Sequence, residues 1–541
     1  MKDKLLYNVN DIPNIRSIIL FGFQQMMICL SMLLVIPYFV SDMICAGDKE
    51  TEIRIQLISA SFVTSGIATI LQTTFGMRLS ILHGPSFAFL PILNTFQAHY
   101  PCTSDTDTSL WQNKLQLISG SCLLAVLIMP ILGFSGLVGI ISKYIGPITI
   151  VPIMSLLTIS AVPDIEQKMA LHWVSIVELI ILIALIVVLE KVEIPIPSFT
   201  MRKPYVKFTK QRILSQFPYI IGISIGWFLC FILTITNAIP ADSPASTDQN
   251  ITLMALQNTP WFHIPIPFQY GSPRFDISLI CGFLSASIVA MIESIGDYNL
   301  CIKLSKQGPP PASSINRAFI VEGIGCILSS SFGIGTGITT YSENIAIMSV
   351  TKVASRVTMQ MAGLFLLIFG IISKFSAVLA MIPEPIIGGV LAIGVSMVNG
   401  TLLSNLETVD LRSSRNLTII GVSIISGLTV GLHFDNNPLK TGNQTIDEIF
   451  GTLLTIRMLI GGIIAFILDN ITPGCTREQR GFLSTDSNDS DYDIDNNGYV
   501  FPSFFNRFLI RFSWLTYLPI LPSRREIMIV EEKRSNMKSK L

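Results

Sequence analysis

The hydrophobic positions of this chain gather into long runs, for example 18–40, 54–75, 174–189, 214–236 and 276–292. A helix that crosses a bilayer needs roughly 20 mainly apolar residues, and runs of that kind recur to the end of the second half. Read against the turn residues between them, they predict segments near 17–40, 54–75, 86–95, 114–140, 145–162, 172–190 and 213–236. A second set follows near 276–300, 315–331, 342–351, 355–380, 385–403, 416–432 and 448–469. Seven is odd, so two such sets lie in opposite orientations, the outline of an inverted repeat. The expected fold is an all-α polytopic membrane protein of 14 transmembrane segments in two inverted seven-helix repeats. Its divisions are 1–16 (amino-terminal, cytoplasmic), 17–236 (first repeat), 237–275 (outer loop), 276–470 (second repeat) and 471–541 (cytoplasmic tail).

Charge fixes the expected orientation. With the amino terminus in the cytoplasm, the loop 191–212 is also cytoplasmic, and it carries Lys191, Arg202, Lys203, Lys207, Lys210 and Arg212. Lys352, Arg356, Arg412 and Arg415 fall on the same side, while the long loops 96–113, 237–275 and 433–447 are poor in Lys and Arg, as the positive-inside rule asks. The polar start, with Lys2, Lys4 and Arg16, lacks a small-residue cleavage site, so the first run reads as a helix and not a removed signal. Six Asn-x-Ser/Thr sequons occur, of which Asn250 and Asn443 lie in outer loops and are the glycosylation candidates. Those at Asn399, Asn416, Asn470 and Asn488 fall in helices or on the inner side.

Composition agrees: 541 residues are 50% hydrophobic and 13% charged, with a mean hydropathy of +0.60. The zero formal net charge argues against a nucleic-acid partner. Nine cysteines show no metal spacing; Cys45 and Cys102, both in outer loops, are the pair placed to bond. "DIDNNG", 493–498, matches the first half of a calcium loop, but its twelfth position is Phe504 instead of a glutamate. The acidic patch 485–495 reads as a solvated tail.

The third segment of each set is unlike the others. "LHGPSFAFLP", 82–91, is broken by Gly84 and Pro85, and "GIGTGITTYSENIAIMSV", 333–350, is opened by Gly333, Gly335 and Gly337. Short, interrupted segments at matching places are the sequence pointer to a transporter's binding site, because an unwound backbone is tolerated at membrane depth only where it faces protein or a ligand cavity. Intramembrane carboxylates are expensive and by default mark a site. Glu343 lies in the second of these stretches, beside Ser342 and Asn344. Glu293 and Asp297, four apart, share one face of the eighth segment. Its counterpart, the first segment, is interrupted by Gln24 and Gln25. Glu178 and Glu322 are single carboxylates without a matching partner and read as packing residues, and His83 as a hydrogen-bonded structural one.

The run "ESIGDYNLCIKLSKQGPPPASSINRAFIVEGIGCIL", then "SENIAIMSVTK", "SKF", "PEPIIGGV", "LSNLETVDLRSSRNL" and "FILDNITPG", resembles the nucleobase-ascorbate transporter family, solute carrier family 23, along nearly the whole chain. The resemblance implies a core domain of segments 1–4 and 8–11, a gate domain of segments 5–7 and 12–14, elevator-like transport coupled to sodium or protons, and dimers through the gate helices. It carries the family signature onto Glu343, Asn344, Thr351 and Lys352, with Ala346 where the family has glycine and Gln24-Gln25 where it has Gln-His. It also places a backbone amide at Ser86 or Phe87 near substrate. The substrate candidates are therefore Glu293, Glu343, Asn344, Ser86, Phe87 and Ser342, and the cation-coupling candidates Asp297, Gln25 and the oxygens around Ser86, which suit sodium.

Members that carry ascorbate resemble one another in having proline where this chain has Glu343. Two carboxylates can accept N–H donors of a neutral uracil or purine, whereas anionic ascorbate is repelled unless cations intervene. The expected function is sodium-coupled nucleobase uptake at the plasma membrane, with L-ascorbate as the alternative and a non-transporting scaffold as a further one. A channel would want a polar stripe along several helices, and no nucleophile, base and orienting group occur at a spacing that defines an enzyme. No cofactor is expected beyond the coupling ion.

Overall fold

The computed structural model describes residues 5–102, 110–199, 206–240, 242–482, 498–499, 501–524, 526–528 and 531. Long apolar runs have become helices: α1 (Ile15–Ile28), α2 (Leu30–Met43), α3 (Glu50–Thr74), α4 (Leu90–His99), α5 (Leu110–Val126), α6 (Pro147–Ser160), α7 (Val162–Met169) and α8 (Val174–Ile183). Then follow α9 (Pro218–Ile235), which ends the first half, and α10 (Ile277–Ser305), α11 (Ala312–Ser331), α12 (Ser342–Thr351), α13 (Arg356–Ile371), α14 (Glu384–Leu406), α15 (Ser414–Asn436) and α16 (Arg457–Ile471) of the second. Among the described residues, eight helical stretches are long and apolar enough to cross a membrane, or ten if each of two bent pairs is one span. The chain is an integral membrane protein, mostly helical.

Several segments depart from single straight helices, each for a local reason. The first is two helices meeting at Cys29, one turn after Gln24 and Gln25. The eleventh bends by 83° between α13 and Ser373–Ala380, and the last by 72° before α16. α11 has the length of a span but carries buried Asn316, Arg317 and Glu322, which keep it out of the apolar set.

The third and tenth segments are ten-residue helices, α4 and α12, each entered through a three-residue strand. Those strands, β1 (His83–Pro85) and β4 (Ile338–Thr340), pair antiparallel with His83 opposite Thr340 and Pro85 opposite Ile338. So the fold is not purely helical: the two interrupted stretches satisfy their freed backbone groups on each other, which an apolar interior demands. Tyr341 N–H donates to Leu82 O at 2.9 Å and Ser86 N–H to Gly337 O at 3.0 Å, extending the ribbon at both ends. Gly84 is required here, since a Cβ on it would lie 2.4 Å from the Tyr341 hydroxyl oxygen.

The loop expected at 191–212 holds a second ribbon, β2 (Ile194–Phe199) with β3 (Val206–Gln211). Cys45 and Cys102 form the expected disulfide, Cα to Cα 5.7 Å. That end of the molecule is called the disulfide face below. Described parts of the tail pack on the helices. The guanidinium groups of Arg317 and Arg78 stack on the Phe501 ring at 4.5 and 5.0 Å. The Tyr499 hydroxyl donates to Gly308 O, and the Asn316 amide to Pro519 O. This is the tail face. The acidic patch and "DIDNNG", apart from Gly498, lie outside the described residues, as does Asn488.

Candidate functional site

The paired strands set two helix amino-termini at the heart of the bundle. β1 leads through a short 3-10 turn, Phe87–Phe89, into α4, and β4 leads through Tyr341 into α12. Because the strands are antiparallel, the two helices depart in opposite directions. Each presents unsatisfied N–H groups and a partial positive charge at the ribbon. Ser86 caps the first: its Oγ accepts the Ala88 N–H at 3.1 Å. The same hydroxyl donates toward Glu293 Oε2 at 3.5 Å, which ties the α4 start to α10.

α10 supplies Glu293 and Asp297 on one face, 6% and 1% exposed. Neither oxygen of Asp297 has a hydrogen-bond partner among the described residues. α12 supplies Ser342, Glu343 and Asn344, all buried, and Glu343 Oε1 and Asn344 Oδ1 are likewise unpartnered. The helices that carry these three buried carboxyl groups, α10 and α12, pack against each other. Buried polar atoms in folded proteins are almost always hydrogen-bonded, which makes this concentration of open acceptors the candidate site for a ligand that brings donors or positive charge.

Gln25 is tied to α12. The Asn344 side-chain amide donates to both the main-chain oxygen and Oε1 of Gln25, 2.8 Å each. Gln25 thus fastens the break in the first span to α12, and among the described residues it makes no hydrogen bond to Asp297. Gln24 Nε2 is buried and unpartnered nearby. His83 sits in β1, its Nε2 3.4 Å from Thr340 Oγ1, a structural position as expected. Asn250 begins the exposed helix Asn250–Asn258 and Asn443 is exposed. Asn399 and Asn416 lie within α14 and α15, and Asn470 near the end of α16.

Glu322 is a structural residue, as read, and it is held by hydrogen bonds as well as by packing. It is fully buried, midway along α11, and accepts the Ser294 hydroxyl at 2.7 Å and the Tyr298 hydroxyl at 2.7 Å. Those residues directly follow Glu293 and Asp297. Ser294 also meets Thr339 Oγ1 at 3.0 Å on β4, and Gln72 donates to the Tyr298 hydroxyl at 2.9 Å. Glu322 therefore grips α10 at two points one turn apart, beside Glu293 and Asp297. The pairing of Ser294 and Tyr298, also four apart on α10, was the available sequence signal. Glu178 on α8 is buried against Gly222 and Gly226 of α9, with both oxygens unpartnered.

A helical membrane protein with paired interrupted helices around buried carboxyl groups has the architecture of a membrane transport protein. The sequence profile of the Permease family matches residues 16–436. Solute carrier family 23 member 2 of Rattus norvegicus is 35% identical over 545 residues, covering 96% of this chain and 83% of that protein. Solute carrier family 23 member 1 of Mus musculus is 34% identical, covering 96% and 89%. Nucleobase-ascorbate transporter 3 of Arabidopsis thaliana is 29% identical over 483 residues, covering 86% and 84%. The chain belongs to the permease family, within the nucleobase-ascorbate transporters of solute carrier family 23.

Proposed function

We propose that the protein is a secondary active transporter that takes up a nucleobase, uracil or a purine, together with sodium. The observation that carries this is the pair of buried carboxyls at the ribbon, Glu293 and Glu343, with open acceptor oxygen on Glu343. A neutral base offers several N–H donors in a plane, and each such donor meets an acceptor that otherwise stays unsatisfied. Asn344 Oδ1 adds another acceptor. The Ser86 N–H is committed to Gly337 O, so a main-chain bond to a base carbonyl falls to Phe87 at the helix start. Ser342 opens α12 beside Glu343 and completes the pocket wall.

Asp297 is the proposed coupling group. A sodium ion on its two open oxygens, with further oxygens from around Ser86, neutralises a charge that is costly at membrane depth. Gln25 contributes indirectly, by holding Asn344. Coupling follows if the ion stabilises the carboxylate geometry the base requires. Movement then takes the elevator form: a core of α1–α5 and α10–α13 carries the ribbon and slides against a gate of α6–α9 and α14–α16. The protein sits in the plasma membrane with both termini cytoplasmic, and dimerises through the gate.

A second reading, sodium-dependent L-ascorbate uptake, is favoured by the open oxygens of Asp297, since cations held there would offset the repulsion of an anion by Glu293 and Glu343. Competition among labelled uracil, hypoxanthine, xanthine and ascorbate in a transporter-null host, with sodium or choline outside, separates the readings. Saturable, sodium-dependent uptake of a base supports the first. Accumulation of none of the four contradicts transport of either class.

A further inference from the structure

On the disulfide face, where α2 and α3 meet α7 and α14, five charged side chains form one network, two buried cations with three partly exposed carboxylates. Arg54 of α3 is 5% exposed, and its guanidinium donates to Asp42 at 2.7 Å, Glu50 at 2.5 Å, Glu384 at 3.1 Å and the Ser41 hydroxyl at 2.9 Å. Lys168 of α7, also 5% exposed, donates to Asp42 and, at 3.0 Å, to Glu384. Asp42, Glu50 and Glu384 bring three carboxylate oxygens within 4.8 Å of one another, a spacing that suits a cation. The Arg54 guanidinium already serves as that cation. Arg54 also stacks over Tyr38 at 4.2 Å, and the Tyr38 hydroxyl donates to Leu379 O and Ile382 O, just before Glu384.

The arrangement is reciprocal across the division between the two helix groups. Asp42 and Arg54 stand on the core side, Lys168 and Glu384 on the gate side, and each cation reaches an acid of the other group. Asn94 of α4 donates to both oxygens of Asp164 on α7, at 2.9 and 3.2 Å, along the same seam. The tail-face seam is held differently. Its cross-group ion pair, Lys303 with Glu407, has side chains 38% and 72% exposed, and exposed pairs contribute little. Asp42 lies about 25 Å along the first span from Gln25, at 1.5 Å per residue, so the network stands between the ribbon and the disulfide face.

We propose that Asp42, Arg54, Lys168 and Glu384 form an ionic latch that closes the disulfide-face route to the site, and that it separates each time the site opens to that side. The proposal rests on the elevator reading. An ion network whose two cations are buried suits such a device, because Arg54 and Lys168 are withdrawn from water and depend on their carboxylate partners while the seam is closed, and are hydrated once it parts.

The test reads access and needs no substrate. Cys29, buried in the break of the first span one turn beyond Gln25, is labelled in intact cells by a membrane-impermeant thiol reagent, and its modification is followed by peptide mass spectrometry. The double variant Lys168→Glu with Glu384→Lys keeps the charge count and the pair within the gate, but turns both cross-group pairs into like-charge contacts. It is expected to label at least tenfold faster than wild type. The variant Asp42→Cys with Lys168→Cys, oxidised, is expected to label several-fold slower than the same protein reduced and washed, and this arm stands even where the charge variant is retained inside the cell. Equal labelling of wild type and charge variant at the surface, or equal labelling of the oxidised and reduced cysteine pair, overturns the latch. Absence of uptake with the labelling pattern intact overturns the transport reading instead.

Discussion

Tyr298 donates its hydroxyl to Glu322 at 2.7 Å, while Asp297, the residue before it on the same helix, has no partner among the described residues for either oxygen. One side of α10 is fastened and the other is left open. The division suggests a fixed scaffold, Glu322 with Ser294 and Tyr298, that aims a reactive pair, Glu293 with Asp297.

Removing the fastening should therefore damage the site without emptying it. Tyr298→Phe and Glu322→Gln should each raise the KM for the transported base about tenfold to hundredfold, the equivalent of the ~1–3 kcal/mol lost when a buried hydrogen-bonding group loses its partner. Surface amounts should stay near wild type. The double variant should be no worse than the more severe single one, since both cut the same link. Additive effects, or lost surface protein with an unchanged KM, would show that Glu322 only supports folding.

The acceptors themselves behave differently. Glu293→Ala and Glu343→Ala should each abolish uptake while leaving surface expression largely intact, because each removes a ligand acceptor and not a packing contact. Uptake at the wild-type level in either variant contradicts the placement of the site.

Coupling is tested by ion replacement. With choline in place of sodium, uptake of the base should fall by at least tenfold, and Asp297→Asn should remove the remaining sodium dependence. Uptake that ignores sodium and rises as the external pH falls would identify the proton as the coupling ion.

The ribbon makes a structural prediction. Gly84→Ala places a methyl group 2.4 Å from the Tyr341 hydroxyl oxygen and 2.5 Å from its ring carbon. Overpacking of this sort costs roughly 1–3 kcal/mol, so the purified variant should unfold at a lower temperature and bind the base less tightly. An unchanged melting temperature would mean that the two strands can part freely.

Much of this was legible in the sequence because membrane burial leaves a coarse signal. Apolar runs of span length are unmistakable, and Glu343, Glu293 and Asp297 stand out against them because a carboxyl at membrane depth is rare. The glycines and prolines around Gly84 and Gly337 marked where helices break. Their pairing into one ribbon was not legible, since register between residues so far apart depends on three-dimensional packing. The partners of Glu322 were hidden for a related reason: Ser294 and Tyr298 are ordinary residues whose meaning appears only when α10 and α11 lie side by side. Gln25 stood out as a polar interruption of the first span, but its bond to Asn344 could not be read from sequence, since it depends on how the first span packs against α12. The Arg54 network joins four separate helices, and no local pattern announces it.

The central claim, that Glu343 reads the N–H edge of a neutral base, is tested most directly by binding of a labelled base, uracil or hypoxanthine, to purified wild type, Glu343→Gln and Glu343→Pro. Affinity should fall in that order: the amide oxygen of glutamine still accepts one bond, and proline leaves the base's donors unpaired, a loss of about tenfold to hundredfold. Ascorbate should bind, if at all, only to the proline variant. Tight ascorbate binding by the wild type, undiminished by excess uracil or hypoxanthine, would contradict the account.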